Sequence, residues 1–282
     1  MVRLAFLSLS LSTAILAQQP QNPSPMVEHT RAHPRLKQES PPGRREELEI
    51  GTLFLPAKLT TKAQTPLLVF FHGSNWLPEV AAAQVGPTAV LTIQLKAGQG
   101  TYAKIFEDTT RFDKLIAEAE SKSGVKFAPL TLGGWSAGCQ AVRELLKEQR
   151  YYDVTSRILL IDGIHTGYVG GKPGPQESQL ETDNLSIYIR FARDAIAGRK
   201  QMIITHSEIF PGTFASTTET ADYMLAQLGL KRLATAKWGP AQTQQLSEVR
   251  QGGFLLIGYA GNSAPDHVDQ LHSLPDYLRW LK

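Results

Sequence analysis

The pentapeptide Gly134-Trp135-Ser136-Ala137-Gly138 has the pattern G-x-S-x-G. It lies between a short apolar segment, Leu130-Thr131-Leu132, and a stretch with helical spacing at Ala141, Val142, Leu145 and Leu146. A strand turning sharply into a helix here leaves the hydroxyl of Ser136 exposed at the tip, and glycines on either side let the flanking backbone approach closely. A serine so presented can attack a carbonyl carbon and form an acyl intermediate once a base takes its proton. The bland reading of the same residues is a Gly-rich turn with a capping serine.

The remaining groups for such chemistry stand at other apolar runs. His267 opens the final helix, after the loop Gly258 to Asp266 that follows the last strand, and from there an imidazole can swing over the serine. An acid must hold that imidazole in one tautomer and stabilise the imidazolium. Asp162 ends the run Ile158-Leu-Leu-Ile161 and is followed by Gly163, whereas Glu208 lies just past Gln201–Thr205. Asp162 is preferred because it terminates its strand directly, and Glu208 is the alternative. His72-Gly73-Ser74 follows the run Pro66–Phe71. The backbone N–H of Ser74 (or of Asn75 beside it) and that of Ala137 are assigned as the two donors that meet a developing oxyanion.

Other reactive side chains take structural readings. His72 props up its loop, His206 ends a strand as a satisfied, half-buried histidine, and His272 packs beneath the last helix. Asp266 caps that helix, and Cys139, in the first turn after Ser136, is an inert thiol packed on the sheet. Trp135 and Trp76 either line an acyl pocket or pack in the core.

Positioning these groups requires strands that end side by side. Leu48–Leu55, Pro66–Phe71, Ala89–Gln94, Leu130–Leu132, Ile158–Ile161, Gln201–Thr205 and Phe254–Ile257 read as strands, several of them apolar enough to be covered on both faces. Helical spacing separates them within 106–121, 141–146, 182–197, 217–228 and 267–281. The expected fold class is α/β, a mostly parallel doubly wound sheet with helices on both faces. Ligands of such sheets bind beyond the carboxyl ends of the strands, where the candidates stand.

Composition narrows the partners. The 282 residues carry 29 basic and 26 acidic side chains, a net charge of +3, and no basic field that would favour nucleic acid. The single cysteine, Cys139, allows no intramolecular disulfide and no Cys-based zinc cluster. There is no P-loop, no H-E-x-x-H and no G-x-G-x-x-G, so no cofactor or metal is expected. Residues 1–17, with Arg3 ahead of the apolar run Leu4–Leu16, have the layout of a secretory signal peptide and are too short to span a membrane. Export is expected, with cleavage after Ala17. Residues 18–47 hold six prolines and almost no aliphatic side chains, and read as a flexible tether carrying His29 and His33. The catalytic domain is expected over 48–282.

Over residues 48–282 the chain resembles the α/β-hydrolase superfamily. The resemblance rests on His72-Gly73 after a strand, on Gly134-Trp135-Ser136-Ala137-Gly138, on Asp266-His267 after the last strand, and on the chain order serine, acid, histidine. It implies a cofactor-independent serine hydrolase with an acyl-enzyme mechanism, most often a carboxylic-ester hydrolase. A peptidase or amidase of the same fold, or a non-catalytic binding protein, are the alternatives. Most members carry the acid after the seventh strand, near Glu208, whereas lipases of the pancreatic type carry it after the sixth, matching Asp162. Residues 163–185 are rich in Gly and Pro and too few for a helical cap, so no large cap domain is expected. An open site of that kind suits small-molecule or polymeric esters.

Overall fold

Apolar runs long enough for one strand, and too short for a helix, become the centre of a sheet. The computed structural model describes residues 34–60, 64–95, 100–171 and 179–281. In chain order the elements are β1 (Gly43–Glu47), β2 (Thr52–Pro56), β3 (Thr65–Phe71), α1 (Trp76–Val85), β4 (Ala89–Ile93), α2 (Thr101–Phe106), α3 (Thr110–Ser123) and β5 (Phe127–Trp135). There follow α4 (Cys139–Lys147), α5 (Gln149–Val154), β6 (Thr155–Ile161), α6 (Asp183–Ile196), β7 (Gln201–His206) and α7 (Thr217–Leu228). The chain closes with β8 (Leu233–Trp238), β9 (Gln244–Gln251), β10 (Phe254–Tyr259), α8 (Ala264–His272) and α9 (Leu274–Trp280).

The strands form one sheet in the order β1-β2-β4-β3-β5-β6-β7-β10-β9-β8. The central strands β4, β3, β5, β6, β7 and β10 run parallel, and antiparallel pairs flank them on both sides. Side chains of successive strand residues leave opposite faces, and the core divides accordingly. Val69, Ile158, Leu160, Met202, Ile204 and Leu256 pack under α3, α4, α6 and α7 on one face. Phe70, Leu159, Ile161, Ile203 and Ile257 pack under α1, α8 and α9 on the other. The sheet is thus mostly parallel and doubly wound, as its sequence implied.

Two expectations need correction, and one part of the sheet was not anticipated. The proposed tether boundary at 47/48 falls inside the sheet, because Gly43–Glu47 pairs antiparallel with β2 as the edge strand. Two buried carboxylates hold this segment: Glu79 accepts Arg45 Nη2 at 2.6 Å, and Asp269 accepts Arg35 Nε at 2.6 Å. A buried carboxylate needs a cation, and the N-terminal segment brings one to each of these two. Residues 18–33, with His29 and His33, and the stretch 1–17 lie outside the described residues. The expected closing helix 267–281 is two helices, broken at Ser273 just ahead of Pro275. Finally β8 and β9, unanticipated, form a hairpin that extends the sheet beyond β10.

Between β6 and α6 the described residues hold a single helical turn, Val169–Gly171, and no helical layer over the site. No helix among the described residues is long and apolar enough to cross a membrane.

Candidate active site

β5 delivers Ser136 at its carboxyl end, and a single tight turn, Ser136–Gly138, joins it to α4. The junction is sharp enough to force Ser136 to φ +53°, a left-handed conformation costly for a side chain bearing a Cβ. Both motif glycines are required by packing. A Cβ on Gly134 would sit 2.6 Å from the Gly138 carbonyl carbon, and one on Gly138 would sit 2.1 Å from the Phe71 carbonyl oxygen. Of five non-glycine residues with positive φ among the described residues, three (His72, Ser136 and Asp162) end neighbouring parallel strands here. Strain gathered at one place on a sheet marks a site whose geometry the rest of the fold enforces.

Asp162 follows β6 and is 1% exposed. One carboxylate oxygen, Oδ2, accepts His267 Nδ1 at 2.7 Å. The other, Oδ1, accepts the Ser207 backbone N–H at 2.8 Å and the Thr217 hydroxyl at 2.7 Å. Burial works against the charged form, yet these bonds outweigh it and hold the carboxyl down at about 2. Ser207 comes from the end of β7 and Thr217 from the first turn of α7, whose start is fixed by a reciprocal cap between Ser216 and Glu219. Three elements therefore fix one carboxylate.

His267 sits in the first turns of α8. Ser263 begins that helix, and the third helical residue, Asp266, accepts both the N–H and the hydroxyl of Ser263. Asp266 thus stabilises the helix start from inside the first turn and is not itself the capping residue. The imidazole of His267 lies against the indole of Trp135 with centroids 4.5 Å apart, and Trp135 Nε1 donates to the His267 carbonyl at 3.0 Å. The indole also stacks on His72, at 5.2 Å and 14°. Trp135, one residue before the serine, therefore orients the ring and backbone of His267. This contact was open in the sequence, where Trp135 could equally have lined a pocket.

Ser136, Asp162 and His267 share the wall of one cavity of about 180 Å³, with Ile209, Pro211 and Phe214 as apolar neighbours. A second cavity of about 400 Å³ adjoins the first, sharing Ser136, His165 and Phe214 with it, and is walled further by His72, Ala137 and residues of α2, α4 and α6. Gly163 closes the floor: a Cβ there would meet the Ser136 carbonyl oxygen at 2.2 Å.

The other candidates fall out as follows. Glu208 is exposed, its backbone N–H bonded to the Gly261 carbonyl, and partial burial raises its carboxyl; the His267 ring is bonded instead to Asp162. Ala137 reaches the larger cavity, but Ser74 does not wall either one. The left-handed turn at His72 and Gly73 (φ +71° and +114°) carries the chain away, so His72 is the residue of that loop on the wall. His72 Nδ1 meets the Tyr102 hydroxyl at 3.1 Å, and burial, aided by the nearby His267, keeps the ring neutral. His206 is buried, and burial and Arg232 push it down to about 4; its Nε2 accepts Arg232 Nη1 at 2.6 Å. His272 Nδ1 accepts the Leu36 N–H at 3.0 Å. Cys139 is fully buried with its thiol directed at the Gly134 carbonyl, and burial pushes the thiol up. Trp76 packs near His272. Ser207 and Thr217, both part of this geometry, carried no sequence signal, because each acts through a neighbour remote in the chain. Among the described residues no group of three or more His, Cys, Asp or Glu side chains could hold a metal ion.

A mostly parallel sheet with helices on both faces, and a serine, an acid and a histidine in that order at its strand ends, give the chain the α/β-hydrolase fold. No protein-family model matches the sequence, and no curated protein matches it. Solved structures similar to it include carboxyl esterase 2 from Tuber melanosporum, at 14% identity, 91% coverage of both chains and a TM-score of 0.48. An esterase from Pyrobaculum calidifontis is 13% identical over 85% of both chains, with a TM-score of 0.46. A cold-adapted esterase from an Arctic intertidal metagenomic library is 13% identical over 85% of this chain and 93% of its own, with a TM-score of 0.44.

Proposed function

We propose that this chain is a serine hydrolase of carboxylic esters, with Ser136 as nucleophile, His267 as base and Asp162 as the orienting acid. The observation that carries the reading is the 2.7 Å bond from His267 Nδ1 to a buried, ionised Asp162 on the same cavity wall as Ser136. Because Asp162 is charged, the imidazole proton resides on Nδ1, and Nε2 is left with the lone pair that can accept the serine proton.

Ser136 Oγ attacks the ester carbonyl as His267 takes its proton. The backbone N–H of Ala137 meets the negative charge that develops on the carbonyl oxygen. His267 then gives the proton to the departing alcohol, leaving an acyl-serine. Water, deprotonated by the same imidazole, attacks that intermediate and frees the acid and Ser136. The chain's own groups suffice, and no cofactor enters. We further read residues 1–17 as an export signal, so that the exported protein begins at Gln18.

An alkyl fluorophosphonate probe tests the reading directly. One equivalent should attach to Ser136, and Ser136→Ala should abolish both labelling and ester hydrolysis. Folded protein that resists the probe would refute the assignment.

A further inference from the structure

The two cavities that meet at Ser136, His165 and Phe214 differ in the rest of their linings, and the mechanism says which part of an ester each must take. His267 has to hand a proton to the leaving alcohol, so the cavity it lines, with Ile209, Pro211 and Phe214, takes the alcohol. The larger cavity lacks His267 but contains Ala137, the residue assigned above to meet the charge on the acyl oxygen. The acyl chain therefore extends into the larger cavity.

Its wall is polar in an uncommon way. Gln140 and Arg143 project from α4, three residues apart and hence on one helix face. The Arg143 side chain is only 11% exposed, and its Nε donates to Glu144 at 2.8 Å. Glu144 also accepts Lys147 at 2.6 Å, so one carboxylate serves two cations and positive charge is left over. Among the described residues, Nη1 and Nη2 of Arg143 meet no acceptor. Two further atoms on the same wall, Gln140 Oε1 and His165 Nδ1, are buried and have no partner. Buried polar atoms in native folds are nearly always satisfied, and two such atoms on a cavity that also presents the Arg143 guanidinium beside a nucleophile call for a polar ligand. The one carboxylate on this wall, Glu181, is exposed, where water screens it.

We propose, resting on the hydrolase reading of Ser136, that the larger cavity is an acyl subsite selecting esters whose acyl chain ends in a carboxylate, bound by the guanidinium of Arg143. The substrates are half-esters of short dicarboxylic acids with an apolar alcohol. Seven residues of tight turn and helix separate Ser136 from Arg143, roughly 10 Å, and helical side chains lean back toward the N-terminus. A chain of about four to six carbons spans what remains. In the reaction the Ser136 Oγ–acyl bond forms as the acyl–alkoxy bond breaks, with the serine proton passing through His267 to the alcohol. Water then cleaves the acyl-serine to the dicarboxylate.

The test compares monobutyl adipate with its neutral isostere, the butyl ester of adipamic acid, by pH-stat. The charged ester should have the higher kcat/KM by about 10- to 100-fold, the range of a desolvated charge-assisted bond. Arg143→Gln should bring the ratio of the two esters to about one, and Arg143→Lys should keep part of it. Calorimetric binding of monobutyl adipate to Ser136→Ala, set against the Ser136→Ala/Arg143→Gln double variant, reads the subsite without turnover, with melting temperatures confirming that each variant folds. Fluorophosphonate labelling with equal rates on the two esters would overturn the subsite while leaving the hydrolase reading intact. Arg143-dependent binding without labelling would uphold the subsite and overturn the chemistry. Neither binding nor labelling would overturn both.

Discussion

Replacing Asp162 by Asn tests the site at its most constrained point. Oδ1 of Asp162 has two donors aimed at it, the Ser207 N–H and the Thr217 hydroxyl. In the variant the amide oxygen must stay with those donors, since turning it would set N–H against N–H in a buried place. The amide NH2 therefore faces His267 Nδ1, where Asp162 Oδ2 had accepted a proton. To accept from the amide, Nδ1 must lose its hydrogen, and the imidazole moves to the tautomer protonated at Nε2. That tautomer cannot take the proton of Ser136. Such a reversal costs about 10⁴ in kcat, or about 5 kcal/mol of transition-state stabilisation. The packing is untouched, so KM for a short nitrophenyl ester should change little and the melting temperature should fall only modestly. The assay is steady-state hydrolysis with active-site titration, beside Glu208→Gln as control. Glu208 is exposed and its neighbour in space is the Gly261 backbone, so that variant should stay within about threefold of wild type. Retention of more than a tenth of the activity by Asp162→Asn, or loss of it in Glu208→Gln, would refute the assignment of the acid.

The same carboxylate sets an acid limit on stability. Its folded value of about 2 lies below the ordinary carboxylate value, so it stabilises the fold above pH 4 and that contribution disappears as pH falls from about 4 to 2. Denaturant titrations at pH 5 and pH 2 should show wild type losing about 2 kcal/mol more than Asp162→Asn over that range, and equal losses would count against the bond network. Gly163→Ala forces a methyl to within 2.2 Å of the Ser136 carbonyl oxygen, so the elbow must shift. We expect a loss of about 1–3 kcal/mol in stability and a larger proportional loss in kcat than in KM, measured by thermal melts and kinetics; a variant with unchanged kcat would show that the floor can yield.

How much of this was readable beforehand depends on whether a residue's role is local. β3, β4, β6, β7 and β10 were legible because burial on both faces demands unbroken apolar runs. The hairpin β8–β9 was not. Its buried positions include Gln245 and Ser247, and β8 is almost wholly exposed, so no apolar alternation advertises it. β1 reads Gly-Arg-Arg-Glu-Glu, a charged composition that suits an edge strand and equally a solvated tether. At the candidate site, Ser136 and Asp162 were legible at the ends of their strands and His267 at the start of the helix after the last strand. The choice between Asp162 and Glu208 could not be made from position alone, since it turns on which strand end the Ser207 and Thr217 donors face. Likewise Ser74 follows the right strand, but the two left-handed residues that steer its loop away are a property of backbone conformation, not of composition.

The N-terminal segment has a practical consequence. Its two guanidinium groups neutralise interior acids on two helices, Glu79 in α1 and Asp269 in α8, the latter two positions beyond His267. A recombinant version started at Leu48, where the hydrophobic strands begin, would remove both guanidinium partners, one of them from the helix that bears the imidazole. Expression boundaries for this chain therefore belong upstream of Arg35, and an affinity tag is better fused behind α9 than spliced onto β2.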